Sequence, residues 1–531
     1  MRCRLKALLI CALLMAATML SSTASGKVPL VVQTRFGPVI GALAFTGQRV
    51  FKGIPYAAPP VGALRWRAPV DPEPWKIPLL CDKFGSSCPS YPASTDLDLQ
   101  LETFDEDCLY LNVWTPAESQ DSRLPVMVYV HGGSFLTGSA AKTFYNGAYL
   151  AKKDVVVVTF NYRLGVFGFL CHPGLADPST GGSYGNYGLL DQIAALRWVR
   201  DNISAFGGDP GRVTFFGESA GAVSVLALMS SSLSQGLFNA AIAQSGAIPF
   251  NLKANEDASR FWVGLAERQG IEAFGPGSLD ALRSLSWEKL LKMTPSNDSM
   301  MPARSTLDLL CIDGYLFKDQ PLDVWRAGNQ AHVPLIVGST SDEMGIIASD
   351  GPKSEDEYKK ALQKYYGEHT DGIMKRYPFD KSNPGRAFAT LTGDSIFSYS
   401  SSLASTLHAE AGNRVYRYVF SYAGKLLKSA GVGAFHSSDI LYLFGIVDNA
   451  AFPAPERNMA RLFADYWTAF AKLGSPSPEG LPAWYAYNKK SAYSMILDSE
   501  PYAETGFGED NFKFWDLIMA DLIEQRSFMR R

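Results

Sequence analysis

One nine-residue stretch, Val213-Thr214-Phe215-Phe216-Gly217-Glu218-Ser219-Ala220-Gly221, restricts this chain to a small set of folds. A β-branched and aromatic run stops at a glycine, a serine sits mid-turn, and the small-residue run 222–228 reads as a helix that begins at once. A strand, a sharp turn and a helix with Gly-x-Ser-x-Gly at the corner force the serine into a strained backbone position. The glycines two residues to either side keep bulk out of the turn. The hydroxyl is thereby pushed clear of the main chain, and the helix N-terminus behind it favours developing negative charge. Ser219 is the candidate nucleophile.

The rest of the chain supplies a sheet for that turn. Residues 109–114, 126–130, 155–160, 213–216, 240–243, 335–338 and 415–420 read as strands, and residues 189–199 and 458–473 as amphipathic helices. Such alternation predicts an α/β fold with a central, mostly parallel twisted sheet flanked by helices. Residues 28–44 alternate apolar and polar side chains between glycines, as in a small antiparallel meander, and the proline-punctuated run 53–60 reads as loop. Residues 253–305 have helical periodicity without a strand candidate, which suits a cap over the carboxyl ends of the strands, where open α/β sheets bind ligands. A length of 531 residues raises a prior of three or four domains. No compositional seam, internal repeat or low-complexity tract divides it, so residues 26–531 are expected to form one domain with insertions.

The amino terminus differs from the rest. Arg2, Arg4 and Lys6 precede an apolar run at 7–20 and small residues at 21–26, the pattern of a secretory signal peptide over residues 1–25. The apolar run is short for a membrane span of about 20 residues, so no stable membrane anchor is expected, and the mature protein is expected to be secreted or periplasmic. A net charge of -3, with no basic block, argues against a nucleic-acid partner. Of the seven cysteines, Cys3 and Cys11 would leave with the leader, and the remaining five are odd in number. They show no CxxC spacing and histidines are few, so a metal site is not expected. Asn202 and Asn297 each begin a glycosylation tripeptide.

A serine hydroxyl needs a base to take its proton, and the base needs an acid to hold its tautomer. In folds with this turn the acid follows the serine and the histidine follows the acid. Among the six histidines, His131 and His172 precede Ser219, and His332 precedes the best acid candidate. His369 lies in a charged, surface-like segment and His408 in an apparent helix. His436, in the glycine-bearing loop 431–439 beyond a strand, is favoured as base. The loop 338–345 follows the strand at 335–337 and offers both Asp342 and Glu343 as the acid. His131-Gly132-Gly133-Ser134-Phe135 follows another strand, and its backbone N–H groups, with that of Ala220, are candidates for an oxyanion hole.

With these pieces in place the chain resembles the type-B carboxylesterase family, the esterase and cholinesterase branch of the α/β-hydrolase fold. The matching segments span nearly the whole mature chain: Phe51-Lys52-Gly53-Ile54-Pro55-Tyr56-Ala57, Glu106-Asp107-Cys108-Leu109-Tyr110-Leu111-Asn112, Asn161-Tyr162-Arg163, Phe206-Gly207-Gly208-Asp209-Pro210 and Phe216-Gly217-Glu218-Ser219-Ala220-Gly221. The resemblance implies Glu343 as the acid, His436 as the base, and Gly133, Ser134 and Ala220 as oxyanion-hole donors. It also implies a Cys88–Cys108 disulfide and leaves Cys81, Cys171 and Cys311 without family partners. The implied activity is hydrolysis of a small-molecule carboxylic ester through an acyl-enzyme, with no cofactor and no metal.

Three departures individualise the chain. Ser134 stands where the family usually has glycine, and its side chain is expected to narrow the pocket. No tryptophan lies between Cys88 and Cys108, which removes the cation–π partner that cholinesterases use. No cysteine occurs between Cys171 and Cys311, so a second cysteine pair common in animal members is missing. The implied type is a bacterial or fungal general esterase. The acidic loop 88–108 would lie near the pocket mouth and disfavour anionic substrates. A competing reading from another class is a catalytically silent, neuroligin-like adhesion or scaffold protein on the same fold, which the presence of all three triad candidates opposes. Ser286 and Lys289 also match a Ser-x-x-Lys spacing, in a helical stretch with no supporting motif.

Overall fold

The computed structural model describes residues 30–528 apart from 45, 92–101, 274, 276, 296–307 and 430. The expected leader, Asp96, Asp98 and Asn297 therefore lie outside the described residues. In chain order the strands are β1 (Leu30–Gln33), β2 (Pro38–Leu43), β3 (Arg49–Pro55), β4 (Leu79–Leu80), β5 (Tyr110–Thr115), β6 (Leu124–Val130), β7 (Val156–Phe160) and β8 (Gly208–Glu218). They continue with β9 (Ala240–Gln244), β10 (Lys253–Ala254), β11 (Cys311–Ile312), β12 (Leu335–Thr340), β13 (Val415–Phe420), β14 (Ser494–Leu497) and β15 (Tyr502–Glu504). All but β10 and β11 join one sheet in the order β1-β2-β3-β5-β7-β6-β8-β9-β12-β13-β14-β15, with β4 beside β2. From β7 to β14 every neighbouring pair is parallel.

Alternation along the central strands sorts side chains to two apolar layers. Val126, Val128 and Val130 of β6 pack into the layer that holds Ile193 and Leu196 of helix Tyr187–Asn202 and Val225 and Leu226 of helix Ala220–Met229. Met127 and Tyr129 point the other way, against Met459, Phe463, Trp467 and Phe470 of helix Ala454–Leu473. Both faces of β6 and β7 are covered, which is why these strands read as unbroken apolar runs.

Register sets the level of the site. Val130 pairs with Gly217, Glu218 with Gln244, and Gln244 in turn with Gly338. The segments leaving β6, β8, β9 and β12 therefore emerge side by side at one edge of the sheet.

Several boundaries differ from the sequence reading. The loop expected at 53–60 begins late, because β3 runs on through Pro55 after a register shift between Phe51 and Ile54. Pro55 is tolerated because β2 pairs with this strand only at Arg49 and Val50, which leaves that side of the ladder open at Pro55. The described residues of the 253–305 region are largely helical as expected, with helices Asn255–Arg268, Ser278–Ser284 and Trp287–Leu291. It also has a strand at its entry: β10 pairs in parallel with β11, so the two form a short stalk at its base. The side chain of Asn202 is buried, accepting the Arg35 N–H at 2.7 Å and donating to Trp198 O at 2.8 Å, so its glycosylation tripeptide is closed to modification in the folded chain.

Candidate active site

Ser219 turns between β8 and helix Ala220–Met229 with φ 57° and ψ -124°, a combination that costs energy for any residue with a Cβ. Its neighbours explain the flanking glycines. A Cβ on Gly217 would lie 2.6 Å from the Gly221 carbonyl carbon, and one on Gly221 would lie 2.1 Å from the Val130 carbonyl oxygen. The turn is held from below by Ser219 N–H donating to Gln244 O at 2.9 Å.

The loop carrying His436 is tied to the loop after β12 by three backbone-centred bonds. Asp342 N–H donates to Ala434 O and His436 N–H to Glu343 O, both at 2.9 Å, and Gly433 N–H donates to Asp342 Oδ2 at 3.2 Å. His436 Nε2 is thereby brought to 2.8 Å from Ser219 Oγ, while Nδ1 lies 2.6 Å from Glu343 Oε2. Spacing alone left Asp342 and Glu343 equivalent, and the structure separates them. Glu343 faces the imidazole, whereas Asp342 forms an ion pair with Arg386 at 2.7 Å and braces the histidine loop.

The glycine loop after β6 lies directly against the serine. A Cβ on Gly132 would sit 3.0 Å from Ser219 Cβ, and one on Gly133 would sit 2.2 Å from Thr137 O. Gly133, Ser134 and Phe135 all have positive φ, at 108°, 58° and 58°, so Ser134 occupies left-handed backbone that glycine would enter more cheaply. Ala220 opens the helix, where its N–H has no partner within that helix. His131 is a buried support for this loop. It stacks on Tyr162 at 4.5 Å, lies 2.8 Å from Gly132 O through Nδ1, and is held neutral by burial, which lowers it to about 4.

The electrostatics are dominated by carboxylates around one imidazole. Burial alone would lower the pKa of His436, but Glu218 and Glu343 outweigh it and push the ring up to about 9. Glu218 Oε1 is 3.4 Å from His436 Nε2 and accepts the Ser437 hydroxyl at 2.5 Å. Burial raises Glu218 to about 7 against the pull of His436, and raises Asp439 to about 6. Asp439 accepts from Gln244 Nε2 at 2.7 Å. Glu343 Oε1 accepts the Ser245 hydroxyl at 2.6 Å and the Thr340 N–H at 2.7 Å, so this carboxylate is fixed from three sides.

A serine, an imidazole and a carboxylate in one hydrogen-bonded line, beside a glycine loop and a helix N-terminus, is an acyl-transfer arrangement. The family model for carboxylesterases matches residues 28–515. The chain belongs to the carboxylesterase family. It is a carboxylic ester hydrolase by that membership. A fumonisin B1 esterase of Sphingopyxis macrogoltabida is 35% identical over 90% of this chain and 88% of its own length. A para-nitrobenzyl esterase of Bacillus subtilis is 34% identical over 88% of this chain and 95% of its own. Among solved structures, a para-nitrobenzyl esterase superposes with TM-score 0.77 at 31% identity, covering 91% of this chain and 99% of that one. These carboxylesterases share the α/β-hydrolase fold.

In this carboxylesterase, sequence reasoning missed four residues at the site. Ser245 follows β9, and only the register of β8 with β9 brings it beneath Glu343. Glu218 and Asp439 flank the serine and the histidine in sequence, yet nothing local shows that Glu218 turns toward the His436 ring or that both carboxyls are buried within its electrostatic reach. Phe397 comes from a π-helical turn, Asp394–Ser398, and packs on His436 with ring centroids 4.6 Å apart and the rings tilted by 33°. Such turns are invisible to a 3.6-residue period.

Other expectations are corrected. The loop 88–108 is not simply an acidic face, because Glu106 is buried against Arg65 and Glu102 pairs with Lys142 at 2.7 Å. Cys88 and Cys108 are both buried and lie within hydrogen-bond reach of each other. Ser286 and Lys289 are both exposed, in keeping with a chance spacing.

Proposed function

We propose that Ser219, His436 and Glu343 form a catalytic triad that hydrolyses a small-molecule carboxylic ester through an acyl-enzyme. The observation that carries this reading is the unbroken line from Ser219 Oγ through His436 to Glu343, at 2.8 and 2.6 Å. Neutral His436 takes the hydroxyl proton on Nε2 as Oγ attacks the ester carbonyl, and its Nδ1–H stays on Glu343. The N–H groups of Gly133, Ser134 and Ala220 receive the oxyanion. The imidazolium that forms lies between two carboxylates, Glu343 and Glu218, and gives its proton to the departing alcohol. Water then enters, loses a proton to His436, and releases the acid from Ser219. No metal or organic cofactor takes part in these steps.

Export of the mature chain after removal of residues 1–25 belongs to the same reading, as does oxidation of Cys88 with Cys108 outside the cell. The para-nitrobenzyl esterase named above points to activated aryl and benzyl esters as first substrates to try. The test is turnover of p-nitrophenyl acetate by the wild type and by Ser219→Ala, with fluorophosphonate labelling mapped to a peptide. Loss of both turnover and labelling in the variant is expected. Undiminished turnover in Ser219→Ala refutes the assignment.

A further inference from the structure

Cys171 and Cys311 are 140 positions apart in the chain, yet their sulfurs lie 3.5 Å from each other in the interior. Neither side chain reaches solvent. The contact is built on both sides. Cys311 is clamped by Asn186, which accepts its N–H at 3.1 Å and donates to its carbonyl at 2.8 Å. Gly185, at φ 98°, backs onto both sulfurs: a Cβ there would lie 2.7 Å from Cys171 Sγ and 2.9 Å from Cys311 Sγ. No larger residue fits at 185 without displacing the sulfurs.

The place of the pair in the fold gives it a purpose. Cys171 follows helix Gly165–Phe169, on the segment leaving β7. Cys311 opens β11, the return strand of the stalk, and is paired directly with Lys253 of β10. The chain between the two cysteines contains Ser219 and the helices of the cap-like region. A covalent link at this point would fasten the base of that region to the segment running into helix Tyr187–Asn202.

We propose that Cys171 and Cys311 form a second disulfide when the protein folds in an oxidising compartment, pinning the β10–β11 stalk to the sheet scaffold. The thiolate of one cysteine attacks the disulfide of a dithiol–disulfide oxidant, giving a mixed disulfide and releasing one oxidant thiol. The second cysteine then displaces the other oxidant thiol. Two protons and two electrons leave the pair, and the oxidant's S–S bond becomes two thiols. Closing about 1.5 Å between the sulfurs brings them to the ordinary bond length of about 2.05 Å. With Cys88 and Cys108 as the other pair, Cys81 is the cysteine left over.

The test uses the whole chain, made in a bacterial periplasm behind its own leader and, in parallel, behind an efficient bacterial export leader, with a third preparation from reducing cytosol. Each is denatured in iodoacetamide without reductant and mapped by peptide mass spectrometry. A Cys171–Cys311 cross-linked peptide in the exported material, absent after reduction and absent from the cytosolic sample, is the expected result. Failure with the native leader but linkage with the substituted one would count against export by residues 1–25 and leave the disulfide supported. Alkylated Cys171 and Cys311 in all three samples, or linkage of either to Cys81, overturns the proposal. As an independent readout, reduction should lower Tm by about 3–6 °C more in the exported wild type than in exported Cys171→Ala/Cys311→Ala. Equal shifts in the two proteins also overturn it.

Discussion

Replacing Glu218 by glutamine removes one negative charge beside the proposed base while keeping the shape that accepts the Ser437 hydroxyl. The magnitude follows from the geometry. At 3.4 Å between Glu218 Oε1 and His436 Nε2, a unit charge pair at an effective dielectric constant of about 20 interacts by about 5 kcal/mol, or roughly 3.6 pKa units of the ring. Where the ring titrates, at about 9, a Glu218 carboxyl raised to about 7 is ionised, so the whole charge is removed. That figure is an upper bound, and a fall of at least about one unit is expected. Its sign is fixed. Loss of a nearby anion disfavours the imidazolium, so the acid limb of kcat/KM must move to lower pH.

The plateau must fall at the same time, because a less basic imidazole is a weaker general base and the flanking anion is lost from the transition state. With proton transfer about half complete, a two-unit loss of basicity costs about tenfold in rate. The assay is kcat/KM for p-nitrophenyl acetate from pH 5 to 10.5, corrected for spontaneous hydrolysis, in wild type and Glu218→Gln, with fluorophosphonate burst titration to count active sites. The expected pair of results is a lower plateau and an acid limb displaced by at least about one unit toward low pH. A limb that stays put, or moves to higher pH, refutes the electrostatic role of Glu218 even if the rate falls.

Ser245→Ala takes one of three donors from Glu343; a hydrogen bond to a charged group is worth about 1.5–3 kcal/mol, so kcat should fall about tenfold or more with KM little changed, and equal kcat would refute the positioning role. Ser134→Gly relaxes a left-handed residue at φ 58° and opens the oxyanion loop. Its activity ratio for bulky over small acyl esters should rise, while Tm changes by no more than a few degrees; an unchanged ratio would show that Ser134 does not line the acyl path. His408 is buried, donates to Val333 O through Nε2 at 2.8 Å, and is lowered to about 4 by burial. The unfolded chain therefore takes up this proton from about pH 6.5 downward, while the folded chain resists until about pH 4, so stability from this group is lost as pH falls across that window. The cost of His408→Gln, measured by urea unfolding, should accordingly shrink by up to about 3 kcal/mol between pH 7 and pH 4, and a constant cost would contradict the buried neutral state.

What was legible in the chain was whatever is encoded within about ten residues. Gly217 and Gly221 announce the turn because each has no room for a Cβ, and the β-branched run at 155–160 announces a doubly covered strand. The choice of Glu343 over Asp342 was not local. Their difference arises because Arg386 and Gly433, from two other segments, claim Asp342. Ser245 lay beyond reach for the same reason, since its role depends on the pairing of Glu218 with Gln244 across two strands.

The charge pattern at the site shows the limit in physical terms. Glu218, Glu343 and Asp439 each read as an isolated acid, and together they are buried near a single imidazole, Glu218 and Glu343 against it and Asp439 on Gln244. Three ionised carboxyls in that space would repel one another strongly. Burial raises Glu218 and Asp439 to about 7 and 6, so both take up a proton more readily than a free carboxylate. Glu343 is different, because Ser245, Thr340 and His436 all stand within hydrogen-bond reach of it. Those three donors fix the position of the Glu343 carboxylate against the imidazole. The donor count, and not the acidity of the residue type, therefore separates the carboxylate that orients the base from those that tune it, and donor counts exist only once the strands are in register.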